Sequence, residues 1–153
     1  QHRIANLLEV SDPAVKKALP GLKKAGLIIL AQDKESKRWS IELNRNNEKV
    51  MQQKRSDNLS LVYSSGLSDF LESAFPEATI ILFGSYSRGE DTITSDIDIA
   101  IIGSKEKKVD LRKHEKDLER EINLNFYKDF KSIHKHLLEN LANGIILSGG
   151  IEL

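Results

Sequence analysis

LFGSYSRGEDTITSDIDIAII, residues 82–102, holds two apolar runs around a glycine-serine turn and a pair of aspartates. With Thr79, Ile80 and Ile81 before it, the first run reads as a short buried strand ending at Phe83. Gly84-Ser85 follows at once, then Tyr86-Ser87-Arg88-Gly89. Ser95 to Gly103 reads as a second strand. Side chains alternate along a strand, so Asp96 and Asp98 share one face while Ile97, Ile99 and Ile101 take the other. Two adjacent carboxylates repel each other unless they share a proton or hold a divalent cation. Oxygen-only ligands favour Mg²⁺ or Mn²⁺.

The spacing carries further meaning. Gly84-Ser85, ten residues and then Asp96-x-Asp98 follow the pattern G-S-x10-D-x-D. This resembles the DNA polymerase β-like nucleotidyltransferase superfamily. Arg88, Gly89 and Ser95 extend the likeness to the minimal nucleotidyltransferase branch, in the form G-S-x-x-R-G … S-D-x-D. The resemblance runs over about residues 60–150 and implies Mg²⁺- or Mn²⁺-dependent transfer of a nucleotide, with ATP donating AMP to a hydroxyl acceptor. Gly84, Ser85, Arg88 and Ser95 are then the nucleotide-binding residues, and Asp96 and Asp98 the metal-binding and catalytic ones. Gly84 lets the backbone approach a phosphate, and Ser85 can donate its hydroxyl to a phosphate oxygen. Backbone N–H groups at a helix opening there would face the same anion. Arg88 can pair with the triphosphate or hold the loop through a carboxylate.

The family pattern places a third carboxylate on a later strand. The matching stretch is Glu121-Ile122-Asn123-Leu124-Asn125-Phe126-Tyr127, with Ile122, Leu124 and Phe126 on one face. By that pattern Asn123 stands at the carboxylate position. An amide can lend a metal one neutral oxygen but cannot act as a general base. Glu121 shares its face and is a substitute candidate. Two outcomes stay open: a working enzyme, or a nucleotide-binding domain without catalysis.

The N-terminal third has a different character. Residues 1–55 carry 12 Lys and Arg against 6 Asp and Glu, and residues 56–153 carry 11 against 17. Segregated charge suggests two modules with different partners. Ile4, Leu7, Leu8 and Val10 repeat at helical spacing, and so do Val15, Ala18, Leu19, Leu22 and Ala25. Ser11 or Asp12 can cap the second helix, with Pro13 in its first turn and Gly26 at its end. Pro20 should kink or split it. Two short strands around Asp33-Lys34-Glu35-Ser36-Lys37 follow, the second being Trp39 to Leu43. The order is similar to small winged helix-turn-helix regulators, without a visible first helix. That resemblance implies DNA binding, with Lys16, Lys17, Lys23 and Lys24 meeting phosphates and Lys34, Lys37 and Arg38 forming the wing. The same lysines also suit the solvated face of a protein-interaction module.

The chain has 153 residues, 39% apolar and 30% charged, with no net charge. That composition is globular, not disordered. No cysteine is present, which excludes disulfides, thiol catalysis and Cys-ligated zinc. No apolar run nears the roughly 18 residues of a membrane span. No basic-then-apolar leader is visible, and a cytoplasmic location is expected. The chain opens on Gln1 in mid-pattern, and more chain is expected before it.

The expected fold is α+β: a winged helix-turn-helix over 1–45, connecting helices over 46–75, and a small α/β nucleotidyltransferase domain with a mixed sheet over 76–153. Minimal nucleotidyltransferases resemble antitoxins whose acceptor is a tyrosine of a HEPN-type toxin partner. A homodimer fits the regulator resemblance. The alternatives are a regulator with a degenerate nucleotidyltransferase domain, and an enzyme that adenylylates small molecules.

Overall fold

A computed structural model describes residues 2–151. Two compact units divide the chain, residues 1–50 and 51–153. No helix among the described residues is long and apolar enough to cross a membrane.

The first unit contains α1 (His2–Leu7), α2 (Asp12–Lys24), β1 (Ile28–Gln32) and β2 (Trp39–Leu43). Ser11 caps α2, its Oγ accepting from the Ala14 N–H at 3.3 Å. Pro13 sits in the first turn, where its missing N–H costs nothing. Of the expected kink or split at Pro20, the split does not occur, and α2 continues to Lys24. Val15 and Leu19 on its inner face are buried with Ala5 and pack on Ile28, Leu30 and Ile41. Packing of an apolar face sustains a helix better than propensity alone. β1 and β2 pair antiparallel, Leu30 opposite Ile41. Asp33 closes the connecting loop, its Oδ1 accepting from the Glu35 and Ser36 N–H groups. Those bonds, the Ser36 ones foremost, hold the Asp33 carboxyl below its usual range.

Helix α3 (Glu48–Ser64) starts in the first unit and continues into the second. There follow α4 (Leu67–Ala74), β3 (Thr79–Phe83), α5 (Gly84–Arg88), β4 (Ile97–Ile102), α6 (Arg112–Leu118), β5 (Ile122–Tyr127), a 3-10 turn at Phe130–Ser132, α7 (Lys135–Ala142) and β6 (Ile145–Ser148). The sheet order is β5-β4-β3-β6. β3 runs antiparallel to β4 and β6, while β4 and β5 are parallel, so the sheet is mixed. The parallel pair needs a crossover, and α6 lies in it.

Both faces of the central strands are covered, which explains why β3 and β4 read as nearly unbroken apolar runs. On one face Ile80, Leu82, Ile97, Ile99 and Ile101 lie against Val62 of α3 and Leu67 and Leu71 of α4. On the other, Ile81, Ala100 and Ile102 lie against Ile133 and Leu141. The second face has a polar end, and Asp96 and Asp98 occupy it.

Ile99 is fully buried at the centre of this sheet. Ile99→Ala should destabilise the second unit by about 2–5 kcal/mol, the usual cost of such a cavity. Urea denaturation followed by circular dichroism measures it. A cost under about 1 kcal/mol would contradict the packing described.

Candidate active site

The candidate site is built where three strand ends meet. β3 ends at Phe83, which pairs with Asp98 near the start of β4. Asp98 pairs on its other side with Asn123, near the start of β5. Adjacent strands lie about 5 Å apart. The alternation that buries Ile97 and Ile99 turns Asp98 the other way, beside Asn123. Asp98 is half-buried, and Asp96 is exposed at the mouth of the strand.

The chain turns sharply after Phe83. Gly84 has φ +76°, the left-handed region, and opens α5. A Cβ on Gly84 would lie 2.6 Å from Asp98 Oδ2. The glycine-serine turn and Asp98 therefore touch, although Gly84 and Asp98 lie fourteen positions apart in sequence. No side chain caps the N-terminus of α5. Ser87 is almost wholly buried and donates its Oγ hydrogen to the Gly84 carbonyl at 2.9 Å, stiffening the turn.

Asn123 Nδ2 donates to Asp96 Oδ2 at 3.1 Å. This bond relieves part of the repulsion between the two aspartates, and it is one an aspartate at 123 could not make while ionised. The site residues comprise two carboxylates and a neutral amide oxygen, all hard donors that suit a divalent cation such as Mg²⁺. Glu121 is exposed, and its carbonyl accepts from the Ile97 N–H at 2.9 Å. Among the described residues no group of three or more His, Asp and Glu side chains could hold a metal ion, so Glu121 does not complete a triad of carboxylates.

Arg88 Nε donates to Glu90 Oε2 at 2.7 Å. Of the two roles open to Arg88, the contact found is the one with a carboxylate of its own loop. Ser95 Oγ accepts from the Thr92 N–H at 2.9 Å and shapes the turn before Asp96. Tyr127 lies on the same sheet face as Asn123 and Asp98. Burial, and then the negative charge of Asp98, push the Tyr127 phenol above its usual 10. In the first unit, Lys16, Lys17, Lys23 and Lys24 are exposed on α2, and Lys34, Lys37 and Arg38 are exposed in the hairpin loop.

One further charged group carries no signal in the sequence pattern. Asp91 is buried, and it is met by Lys54 and Asn58 of α3 and by Arg120. Lys54 and Asn58 stand four apart on one helix face, which sequence can show. Their partner, more than thirty positions away, it cannot.

A family model described as the nucleotidyltransferase domain matches residues 64–147, more than half of the chain. The chain belongs to the nucleotidyltransferase domain family. The matched span begins in the last turn of α3 and ends within β6, so it includes β3, β4 and β5, the turn and both aspartates. No curated protein matches the chain. Membership makes nucleotidyl transfer the general activity of this domain, with a nucleoside triphosphate as substrate.

Two measurements test this geometry. Gly84→Ala combines left-handed strain of about 1–3 kcal/mol with a collision at Asp98. It should weaken Mg-ATP binding by roughly tenfold or more in calorimetric titration. Unchanged affinity would separate the turn from the nucleotide. Tyr127 holds its proton more tightly in the folded protein, so its contribution to stability is lost as pH rises past about 10. Asp98→Asn should move the Tyr127 titration down toward 10, read by NMR of its ring resonances. No movement would show that Asp98 does not face it.

Proposed function

We propose that this nucleotidyltransferase domain uses Mg²⁺ and ATP to transfer AMP to a hydroxyl acceptor. The observation that carries the proposal is the contact of the Gly84 turn with Asp98. It sets the side-chain-free backbone of the turn against Asp98, one of the carboxylates that would hold the ion. Asp96 and Asp98 are the metal-binding residues in this reading, with the Asn123 side-chain oxygen as a neutral third donor. A bound divalent ion neutralises triphosphate charge and eases the departure of pyrophosphate. Gly84 admits the phosphates to the backbone, and Ser85 donates its hydroxyl to one of them. Arg88 and Ser95 shape the loop on either side. The acceptor oxygen bonds to the α-phosphorus as the bond to pyrophosphate breaks, and the hydroxyl proton leaves to a site carboxylate or to solvent. Asn123 cannot take that proton. A tyrosine of a HEPN-type toxin partner is the acceptor that the antitoxin resemblance suggests.

A second reading has its own observation. The Asn123–Asp96 hydrogen bond stabilises the site without any cation. That favours a domain that binds nucleotide and regulates without transferring it. One experiment separates the two readings. α-Labelled ATP and Mg²⁺ are incubated with the protein and candidate hydroxyl acceptors, in wild type, in Asp96→Asn/Asp98→Asn and in Asn123→Asp. Transfer is expected in the wild type and lost in the double variant. Asn123→Asp should raise the rate, by on the order of 10²-fold if a general base is restored. Nucleotide binding without transfer in the wild type, with transfer appearing in Asn123→Asp, establishes the second reading. No binding in any form overturns both.

For the first unit, we propose a winged helix-turn-helix that binds DNA through the exposed lysines of α2 and the basic hairpin loop. The antiparallel hairpin packed on α2 and the Lys and Arg excess of residues 1–55 support it. Phosphate contacts release counterions, so DNA affinity should fall steeply with salt. Electrophoretic mobility shift across a salt series checks this. Weak, salt-independent binding would leave the unit as a protein-interaction module.

A further inference from the structure

We propose that Asp91 is the positioning residue of the nucleotide turn, tying the Gly84–Arg88 helix to α3 through its middle and the segment beyond its C-terminal end. The inference rests on the nucleotide reading of that turn given above and extends it to residues outside the motif.

The ties are specific. Asn58 Nδ2 donates to the Tyr86 carbonyl at 2.9 Å and to Asp91 Oδ1 at 2.8 Å. One buried amide thus joins the middle of α5 to the residue beyond its end. Lys54 Nζ donates to the Asp91 carbonyl at 2.8 Å and pairs with Asp91 Oδ1. Arg120 Nη2 lies 3.9 Å from Asp91 Oδ2, on the other side of the carboxylate. Between these ties α5 closes on itself, with the Gly89 N–H bonded to the Tyr86 carbonyl and the Glu90 N–H to the Ser85 carbonyl. This is a Schellman turn, and it needs a left-handed residue, which Gly89 supplies at φ +73°. A Cβ on Gly89 would lie 2.6 Å from the Met51 carbonyl oxygen and 2.8 Å from the Arg55 nitrogen. The turn is therefore seated directly on the α3 backbone.

Stability alone is a poor reason for such an arrangement. A buried carboxylate pays a desolvation cost that its ion pairs only roughly repay, and an apolar replacement would often serve as well. Directional bonds do what apolar contacts cannot, which is to fix the register of a short loop. The loop in question begins at Gly84, against Asp98. Displacing a phosphate-binding turn by about 1 Å can cost on the order of 10²-fold in rate. The ties of Asp91 run to α3 and toward Arg120, so it acts through the turn as a positioning residue.

The test uses the full chain with Asp91→Asn, Lys54→Met and Lys54→Arg, read two ways. Hydrogen–deuterium exchange without nucleotide reports on amides 84–90 against those of β4 and β5. Calorimetry reports Mg-ATP affinity. Asp91→Asn and Lys54→Met should speed exchange at 84–90 by tenfold or more, leave β4 and β5 within twofold, and weaken Mg-ATP binding by tenfold or more. Lys54→Arg, which keeps a charged donor, should restore most of the affinity. Unchanged exchange at 84–90, or a rise shared equally by the sheet, overturns the proposal. So does wild-type Mg-ATP affinity in variants whose turn has loosened. If Asp91→Asn does not fold, Lys54→Met carries the comparison, since its side chain is partly exposed and Asp91 keeps its other partners. If the wild type binds no Mg-ATP while exchange at 84–90 responds as expected, the tie to α3 stands and the nucleotide reading is what fails.

Discussion

Antiparallel pairing of β3 with β4 sets Phe83 opposite Asp98, and the chain must then leave β3 directly beside a carboxylate. Only a residue without a side chain can make that exit, because a Cβ at 84 would lie 2.6 Å from Asp98 Oδ2. The positive φ at Gly84 adds a second, independent demand for glycine. This one contact sets where α5 starts and brings the turn against Asp98. The apolar layers around the sheet hold β3 and β4 in register, and a slip of one residue would turn both aspartates into the core.

The site depends on opposite requirements met on the two faces of the same strand. Ile97, Ile99 and Ile101 are wholly buried, and that burial stabilises the sheet. Asp96 and Asp98 alternate with them and would be intolerable on that side without partners. At the strand's start the covering layer of the second face, built from Ile133 and Leu141, gives way to polar groups. The Asn123 amide meets Asp96 there and moderates the charge of the pair. The same substitution that quiets the site electrostatically removes a group able to take a proton, so stability and catalytic capacity pull in different directions at position 123.

Much of this was legible in the chain. The strands around residues 79–83 and 97–102 follow from β-branched apolar runs, and the common face of Asp96 and Asp98 follows from alternation. The parallel register sets Asn123 beside Asp98, a pairing of two strands that the pattern reading considered separately. Pro20 was read as a kink or split, and the helix runs through it because Val15 and Leu19 are anchored beneath. Glu121 was read as a substitute ligand, and it lies exposed just before β5, its carbonyl accepting from the Ile97 N–H.

Periodicity and spacing encode the glycine-serine turn, the two aspartates, the apolar strands and the division of charge between the ends. These are local, since each depends on neighbours a few residues away. The tertiary structure alone decided which distant groups meet. The approach of Gly84 to Asp98, the amide bond from Asn123 to Asp96, and the convergence of Lys54, Asn58 and Arg120 on Asp91 all join residues separated by a dozen positions or more. No periodic pattern records such pairings, because a long-range contact is fixed by how the elements pack and not by the composition of either partner.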